Sequence, residues 1–346
     1  GAMNVAQRSA SVTGLGAASG YFTCDRWQLG EGDASAGRLT MSQTADGPNG
    51  ISANCIKLDC TTADTSIAAG EYLLLGTILE GQNIQRIGKG VAGAKQVTAS
   101  FYVKASAAFN FVLELYDSDN NRQISKLFST TTGWVRHEFT IPADVDDGSS
   151  PFADDNGASL YMNFWLHGGS NFTSGTLNTA SWANSVNANR LVGIDSFFSS
   201  TDNNFFVTGV QLEVGPVATE LEQEEISTTL QKCQRYFQTT YPIGYAVGST
   251  GNISWSIETI NGPTANNYLS VGWDMPVKMR TVPTASLYNP TTGSSSASNN
   301  IWHTAGTSIP SAVGNISPNA MLFYVNNTAV GANGAIMAHF VADAEL

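Results

Sequence analysis

Apolar and polar residues alternate with a period of two along much of the segment between Thr40 and Val214, and clusters of Gly, Asn, Asp and Ser separate the alternating runs. Because successive side chains of a strand point to opposite faces, this alternation predicts half-buried β-strands. The clearest runs span 97–104, 109–115, 135–141 and 206–214. In the last run we expect the apolar stripe to consist of Phe206, Thr208, Val210, Leu212 and Val214. Such strands between turn-rich segments are typical of a β-sandwich or jelly roll.

The pattern changes after Val214, where a Gly-Pro pair and an acidic stretch follow. Thr228 with Gln231 three residues later forms a capping-box pattern, which predicts a helix over about 227–238. Alternation then returns at 253–257, 321–325 and 336–340. The predicted fold is therefore all-β, with a jelly-roll β-sandwich (1–218), an acidic linker and short connecting helix (219–238) and a smaller C-terminal β-domain (239–346).

Two long turn-rich segments interrupt the first domain. Residues 142–156 hold five Asp among Gly, Ser and Pro, which predicts a surface loop with solvated charges. Residues 168–189 are mostly polar, and Phe172 and Trp182 are the aromatic residues among them. Connections of this length within a compact domain are usually functional or mobile, so the second loop is a candidate part of a site.

Composition agrees with two β-rich domains. The chain has 346 residues, of which 42% are hydrophobic, 13% are charged and 34 are Gly. At roughly 100–200 residues per domain, this length predicts about two cores. The apolar content is sufficient to fill them, so wholesale disorder is not expected.

The net charge of −12 narrows the classes of partner. Nucleic acids and anionic lipid surfaces would repel such a chain, whereas a neutral glycan would not. No apolar run approaches the roughly 18 residues of a transmembrane helix, so no membrane insertion is expected. The opening Gly1-Ala2-Met3 leaves two interpretations open, a remnant of cloning or native sequence cut from a longer polypeptide.

The four cysteines, Cys24, Cys55, Cys60 and Cys233, are predicted to be buried free thiols. Cys55 and Cys60 lie five residues apart in one predicted strand, so they would face opposite sides of the sheet and could not bridge each other. No Cys/His spacing indicates a zinc site. We therefore expect neither a metal nor a cofactor.

Catalytic motifs are also missing from the sequence, including Gly-x-Ser-x-Gly and His-Glu-x-x-His. The Asp-rich run 117–121 lacks the Gly and Glu of an EF-hand loop and instead predicts a hairpin turn between Tyr116 and Gln123. Paired carboxylates for glycoside hydrolysis leave no fixed spacing in a sequence, so a polysaccharide depolymerase stays an alternative. The favoured interpretation is a protein that is not an enzyme.

The stretch Tyr-Met-Asn-Phe-Trp-Leu-His at 161–167 is the strongest candidate site. Alternation predicts that Met162, Phe164 and Leu166 point into the core and that the other residues point outward. An outward face of aromatic and polar side chains suits a sugar, whose ring has apolar faces and a hydroxyl rim. The predicted glycan-binding residues are Tyr161, Asn163, Trp165 and His167, with Glu114 and Tyr116 on the same sheet and Trp182 closing over them. The alternative is that these aromatics form a second core layer or a subunit interface.

Several segments resemble bacteriophage tail-fibre and virion-appendage proteins. They are 1–8, 21–27, 207–215 (Val-Thr-Gly-Val-Gln-Leu-Glu-Val-Gly) with Ala218-Thr219, 233–237 (Cys-Gln-Arg-Tyr-Phe), 275–284 and 342–346. Between the first and third of these, such proteins resemble carbohydrate-binding jelly-roll modules.

The resemblance implies a homotrimeric fibre, assembled in the host cytoplasm and attached to other virion proteins through an upstream segment. It implies a non-catalytic role in adsorption, in which host cell-surface polysaccharide is bound reversibly. The main alternative is a purely structural capsid or tail decoration whose aromatic face is a subunit contact.

Overall fold

The computed structural model describes residues 1–33, 35–145, 150–251, 256–260, 268–296, 301–303, 308–310, 312–326 and 334–346. Within them the chain forms two compact units. Unit 1 comprises Gly1–Asn4, Ser11–Glu224 and Leu346, and unit 2 comprises Val5–Ala10 and Glu225–Glu345. Strands dominate both units, which confirms the predicted all-β fold class.

Unit 1 is a sandwich of two antiparallel sheets. The six-stranded sheet has the order β1-β4-β5-β13-β7-β10, formed by β1 (Ser11–Leu15), β4 (Arg38–Thr44), β5 (Cys55–Thr62), β7 (Val97–Ala105), β10 (Val135–Ile141) and β13 (Asn204–Val214). The chain passes repeatedly between this sheet and the second one, as in a jelly roll.

The seven-stranded sheet has the order β12-β9-β8-β11-β6-β3-β2. Its strands are β2 (Gly20–Tyr21), β3 (Gln28–Gly32), β6 (Tyr72–Glu80), β8 (Asn110–Asp117), β9 (Arg122–Ser129), β11 (Ala158–Gly168) and β12 (Ala183–Asn184). Two short helices, α1 (Gly81–Ile84) and α2 (Ser170–Thr173), and the 3-10 turns Gln85–Ile87, Asn187–Asn189 and Phe197–Ser199 lie in the connections.

The core of unit 1 contains the inward faces of both sheets. The predicted inward residues of 97–104 and 161–167 are buried there, and the Phe101 and Phe164 rings meet edge to face with centroids 4.9 Å apart. The predicted hairpin at 117–121 also forms, since β8 ends at Asp117 and β9 begins at Arg122. The alternation therefore predicted these strands and their inward faces correctly.

Strand β13 departs from its predicted alternation. Phe205 and Val207, rather than Phe206, point into the core at its beginning, whereas Val210 and Leu212 do so further along. The pairing with β7 shifts between Thr208 and Gln211, and Gly209 has a φ of +62°. This β-bulge adds one residue and moves the apolar stripe from odd to even positions. The expectation that Phe206 and Thr208 share the stripe was therefore wrong.

Unit 2 is also built of antiparallel strands, several of which pair with a long strand near its end. Its strands are β14 (Phe237–Thr239), β15 (Ile257–Ile260), β16 (Tyr268–Asp274), β17 (Thr284–Tyr288), β18 (Ile301–His303), β19 (Ser308–Ile309), β20 (Ala312–Ile316), β21 (Ala320–Asn326) and β22 (Ala335–Asp343). Strand β22 pairs with β14, β15, β17 and β18. The predicted inward residues of 321–325 and 336–340 form the core, while Ile253 and Trp255 lie outside the described residues.

The helix α3 spans Ile226–Gln234 and groups with unit 2. Its N-cap residue is Glu225, with no side-chain capping bond, so Thr228 and Gln231 lie inside the helix and do not form the predicted capping box. The segment Val5–Ala10 also belongs to unit 2, where Arg8 pairs with Asp343 and Glu345.

The four cysteines are buried and each is a free thiol. Burial raises the pKa of Cys60 to about 11, which keeps it in the unreactive thiol form at neutral pH. Among the described residues, no helix is both long enough and apolar enough to cross a bilayer.

Candidate functional site

The outward face of the seven-stranded sheet carries the predicted site residues of β11. Tyr161, Asn163 and Trp165 are paired in register with Tyr116, Glu114 and Val112 of β8. On the other side of β11 they pair with Ile78, Gly76 and Leu74 of β6. Because paired residues share a face, the sheet brings five predicted residues together: Tyr161, Asn163, Trp165, Glu114 and Tyr116.

Glu114 is the centre of a hydrogen-bond network beneath this face. Its side chain is fully buried. Its carboxylate accepts hydrogen bonds from Asn163 Nδ2 at 3.1 Å and from Trp165 Nε1 at 2.8 Å. Arg190 adds a bidentate pair, with Nε at 2.7 Å and Nη2 at 2.8 Å. Four donors therefore hold one buried carboxylate, which is the condition under which a buried charge is tolerated.

Arg190 covers the ring of Trp165. Its guanidinium lies 4.7 Å from the ring centroid of Trp165 and 5.2 Å from that of Tyr116. Although burial alone would lower it, the charge of Glu114 holds the pKa of Arg190 above its ordinary value. The pair is therefore ionic, and Arg190 is fixed above the sheet.

Trp165 itself is only 2% exposed and belongs to a small second apolar cluster. The other buried members of this cluster are Leu74, Val112, Phe172 and Leu191. The predicted outward face of aromatic side chains is therefore divided between the interior and the surface. The ring of Trp165 forms a second core layer beneath the loop after β11, which was the alternative interpretation of these aromatic residues. Tyr116 and Tyr161, in contrast, are half-buried at the surface.

These residues line a groove with a volume of about 460 Å³. The lining residues are Ser19, Gln28, Gly30, Tyr72, Leu74, Tyr116, Tyr161, Asn163, Trp165, Phe172, Asn187 and Arg190. The rings of Tyr116 and Tyr161 lie side by side with centroids 5.8 Å apart. Burial, followed by the nearby Tyr116, raises the pKa of Tyr161, so its hydroxyl is protonated at neutral pH.

His167 does not lie in the groove. The pairing of β11 with β6 shifts between Trp165 and His167, and the imidazole is fully buried near Ser196 Oγ (2.8 Å from Nδ1) and Glu71 Oε2 (3.5 Å from Nε2). Burial lowers the pKa of His167, although Glu71 and Asp64 act in the opposite direction. His167 is thus neutral at neutral pH and belongs to the interior.

Trp182 is also away from the groove, so the expectation that it closes over the other aromatics was wrong. Its ring belongs to the core of unit 1, and its Nε1 donates to the Pro142 carbonyl at 3.0 Å. The physical reason is that the loop 168–189 folds back on the edge of the sheet, where β12 pairs with β9.

Among the described Asp residues of the acidic loop at 142–156, one is buried. Asp144 is buried and binds Lys89 Nζ at 3.1 Å and Arg122 Nε at 2.8 Å, and Lys89 also pairs with the buried Asp117. Burial alone would raise the pKa of Asp144, but Arg122 and Lys89 hold it below its ordinary value. The prediction of solvated charges was wrong here, and Asp146 and Asp147 lie outside the described residues.

Sequence reasoning missed several groove residues, chiefly Arg190, Tyr72 and Gln28. Tyr72, Leu74 and Gly76 alternate with Leu73 and Leu75, and Leu29 separates Gln28 from Gly30. That alternation could have placed them on an outward face. Nothing in the sequence links Arg190 to Glu114, 76 residues earlier, because the pair forms only once the loop packs on the sheet.

The part of the chain that the structure describes holds no group of three or more His, Cys, Asp or Glu side chains arranged to bind a metal ion.

No protein-family model and no curated protein matches the chain. Several solved carbohydrate-binding modules align with part of the chain. A family 30 carbohydrate-binding module aligns over 63% of this chain and 95% of its own, with 11% identity and a TM-score of 0.31. The family 11 module of the cellulosomal cellulase Lic26A-Cel5E of Clostridium thermocellum aligns over 62% and 99%, with 12% identity and a TM-score of 0.30. TmCBM61 in complex with β-1,4-galactotriose aligns over 55% and 88%, with 10% identity and a TM-score of 0.28. These values are too low to transfer a ligand or an activity.

Proposed function

We propose that the chain is a bacteriophage tail-fibre or virion-appendage protein that binds a host-surface glycan in the groove of unit 1, without catalysis. The virion context is supported by the segments at 1–8, 207–215 and 233–237 that resemble such proteins. The glycan is supported by the chemistry of the groove.

The observation that carries the proposal is the combination of aromatic rings and amides in one groove. Tyr116 and Tyr161 present neighbouring half-buried rings, and Gln28 and Asn187 add amides to the lining. Pyranose rings have apolar C–H faces that pack on aromatic rings and hydroxyls that bond to amides. A groove of this composition therefore complements a sugar chain better than an apolar ligand.

Glu114 supports binding rather than hydrolysis. A glycosidase needs two carboxylates that flank the scissile bond, one as acid and one as base or nucleophile. Glu114 is the carboxylate directly beneath the groove, and it accepts four hydrogen bonds from residues of the floor and the loop. Its position gives it a structural role in holding Arg190 and Trp165.

Reversible binding at one groove can still give firm attachment. Linking several weak sites raises the overall affinity by roughly two to four orders of magnitude when the sites can bind together. In a homotrimeric fibre, each chain would contribute one groove. Weak single-site affinity is therefore consistent with a role in adsorption.

The test is binding of the full chain to whole cells and extracted surface polysaccharides of candidate bacterial hosts. Tyr116→Ala and Tyr161→Ala remove the two stacking rings. Tyr102→Ala is the matched control, since Tyr102 is a half-buried tyrosine of unit 1 on β7, in the other sheet. Each variant is first shown to be folded by circular dichroism.

We expect each groove variant to weaken binding about tenfold or more, the loss expected for removing roughly 1.4 kcal/mol of stacking and burial, and the control to bind as the wild type does. Binding that all three variants retain would place the site outside the groove. Failure of the wild type to bind any host cell or polysaccharide would favour a purely structural decoration.

A further inference from the structure

Four donors at the groove floor are directed inward. Asn163 Nδ2, Trp165 Nε1 and two nitrogens of Arg190 donate to the buried carboxylate of Glu114. A carboxylate only accepts hydrogen bonds, so it also fixes the orientation of the Asn163 amide, with Nδ2 toward Glu114 and Oδ1 away from it. What remains for a ligand at this part of the floor is an acceptor.

That acceptor is unsatisfied. Asn163 is 3% exposed and lines the groove, and its Oδ1 atom is buried without a hydrogen-bond partner. Leaving a buried acceptor unpaired costs about 1–3 kcal/mol, so such an atom in a groove indicates a donor that arrives with the ligand.

Gly76 lies beside this atom, and its lack of a side chain makes room for Asn163 Oδ1. It lies between Asn163 of β11 and Gln28 of β3 in the same register. A Cβ on Gly76 would be 2.5 Å from Asn163 Oδ1, closer than the two atoms can approach. A glycine inside a strand often marks a place where another group comes close to the backbone. We call this space, bounded by Asn163, Gly76 and Gln28, the notch.

The charges of the groove argue against an anionic ligand. Among the described lining residues, Arg190 is the charged one, and its pair with Glu114 makes the two together neutral. The chain as a whole carries a net charge of −12, which repels anions. At this floor, the carboxylate of a uronate or sialate would meet no unpaired cation among the described residues, and the four donors that bind Glu114 point away from it.

We propose that the groove selects a neutral, polyhydroxylated glycan, and that one of its hydroxyls donates a hydrogen bond to Oδ1 of Asn163 in the notch. This inference rests on the proposed function, because it names the glycan class of the same groove. Since Oδ1 is nearly covered, the hydroxyl reaches it as the side chain of Gln28 changes rotamer, which is common at binding surfaces, while Asn163 keeps its bond to Glu114.

The first test compares classes of ligand. Wild-type protein is titrated by affinity electrophoresis against neutral polysaccharides (β-glucan, galactan, mannan and xylan) and against alginate and polygalacturonate. We expect the highest affinity for a neutral polymer. Preference for either uronate polymer would overturn the inference, even if the tyrosine variants still show that the groove is the binding site.

The second test fills the notch. Gly76→Ala places a methyl group 2.5 Å from Asn163 Oδ1, so the side chain of Asn163 must move and its acceptor is lost from the notch. The bonds of Trp165 and Arg190 to Glu114 do not involve this atom. Gly272→Ala is the control, because Gly272 is also a strand glycine and its added Cβ would make only ordinary contacts, at 3.8 Å or more. We expect Kd for the best neutral polysaccharide to rise at least tenfold for Gly76→Ala and to stay unchanged for Gly272→Ala.

A measurement on the ligand keeps the inference testable if Gly76→Ala does not fold. Full O-methylation of the same polysaccharide removes its hydroxyl donors, and we expect it to abolish binding. If Tyr116→Ala and Tyr161→Ala lose binding while Gly76→Ala or the methylated polymer retains it, the proposed groove stands and the donor to Asn163 is wrong. If the tyrosine variants retain binding, the proposed function itself fails.

Discussion

Individual polar residues in this chain are placed by partners far away in sequence. The alternation at 161–167 correctly put Asn163 and Trp165 on the outward face of a strand, yet both are covered. Arg190 and Phe172 come from the following loop and pack against Trp165. A period of two predicts the face of a side chain but not what later covers that face.

The buried ion network of Lys89, Asp117, Asp144 and Arg122 gives a prediction about stability. Lys89→Met leaves two buried carboxylates short of a cation, and breaking a buried pair in this way costs about 3–5 kcal/mol. We expect the free energy of unfolding of unit 1, measured by denaturant titration, to fall by that amount. Lys104→Met is the control, since Lys104 pairs with the half-exposed Asp46 and its loss should cost about 1 kcal/mol or less. Equal losses would contradict a dominant role for burial.

His167 gives a prediction about pH. Burial lowers its pKa in the folded chain, so the folded state binds fewer protons than the unfolded state as the pH falls below the ordinary value of about 6.5. Stability is therefore complete above that value and decreases as the pH falls through it toward the folded-state pKa. We expect the free energy of unfolding to decrease between about pH 7 and pH 5, a range above the ordinary carboxyl pKa values. His167→Gln should flatten this decrease, and an unchanged slope would assign it to other groups.

Among elements, strand β13 shows why its boundary was easier to predict than its register. Its end at Val214 was predicted correctly, because a Gly-Pro pair follows. Its inward face was not, because the bulge at Gly209 changes the parity of the strand and leaves no mark beyond one glycine. Helix α3 shows a similar difference. The sequence predicted that the helix exists, but the predicted capping box does not form, because the N-cap residue is Glu225 and its side chain makes no capping bond.

The bulge can be tested directly. Gly209 has a φ of +62°, and an added Cβ would lie 2.8 Å from Cδ2 of Tyr102. For a residue with a side chain, this backbone conformation alone costs about 1–2 kcal/mol of free energy. We expect Gly209→Ala to lower the free energy of unfolding by at least that amount. Gly133→Ala should change it little, because Gly133 has open space around its Cβ position. A neutral Gly209→Ala would mean that β13 can pair without the bulge.

At the scale of the whole molecule, length and alternation predicted two β-rich parts, and the contacts divide the chain into two units. The predicted linker 219–238 does not stand apart, because its residues up to Glu224 group with unit 1 and α3 groups with unit 2. The segment Val5–Ala10 groups with unit 2 through Arg8, an assignment that sequence order could not give.

Only part of the groove could be predicted from the sequence. Its floor lies on neighbouring strands with visible alternation, so Tyr116, Tyr161 and Asn163 could be found from the sequence. Its rim comes from Ser19, Asn187 and Arg190, which only the folded loops bring to that floor. The trimer and the virion attachment are features of the assembled particle and stay proposals.

The most direct test is a crystal structure of the full chain with an oligosaccharide prepared by partial hydrolysis of the polysaccharide that it binds best. The account predicts electron density for sugar rings against Tyr116 and Tyr161 in unit 1, with a hydroxyl within 3.5 Å of Asn163 Oδ1, a usual limit for a hydrogen bond of about 2.7–3.2 Å. Density for the sugar in unit 2, or elsewhere on unit 1 with the groove empty, would contradict it.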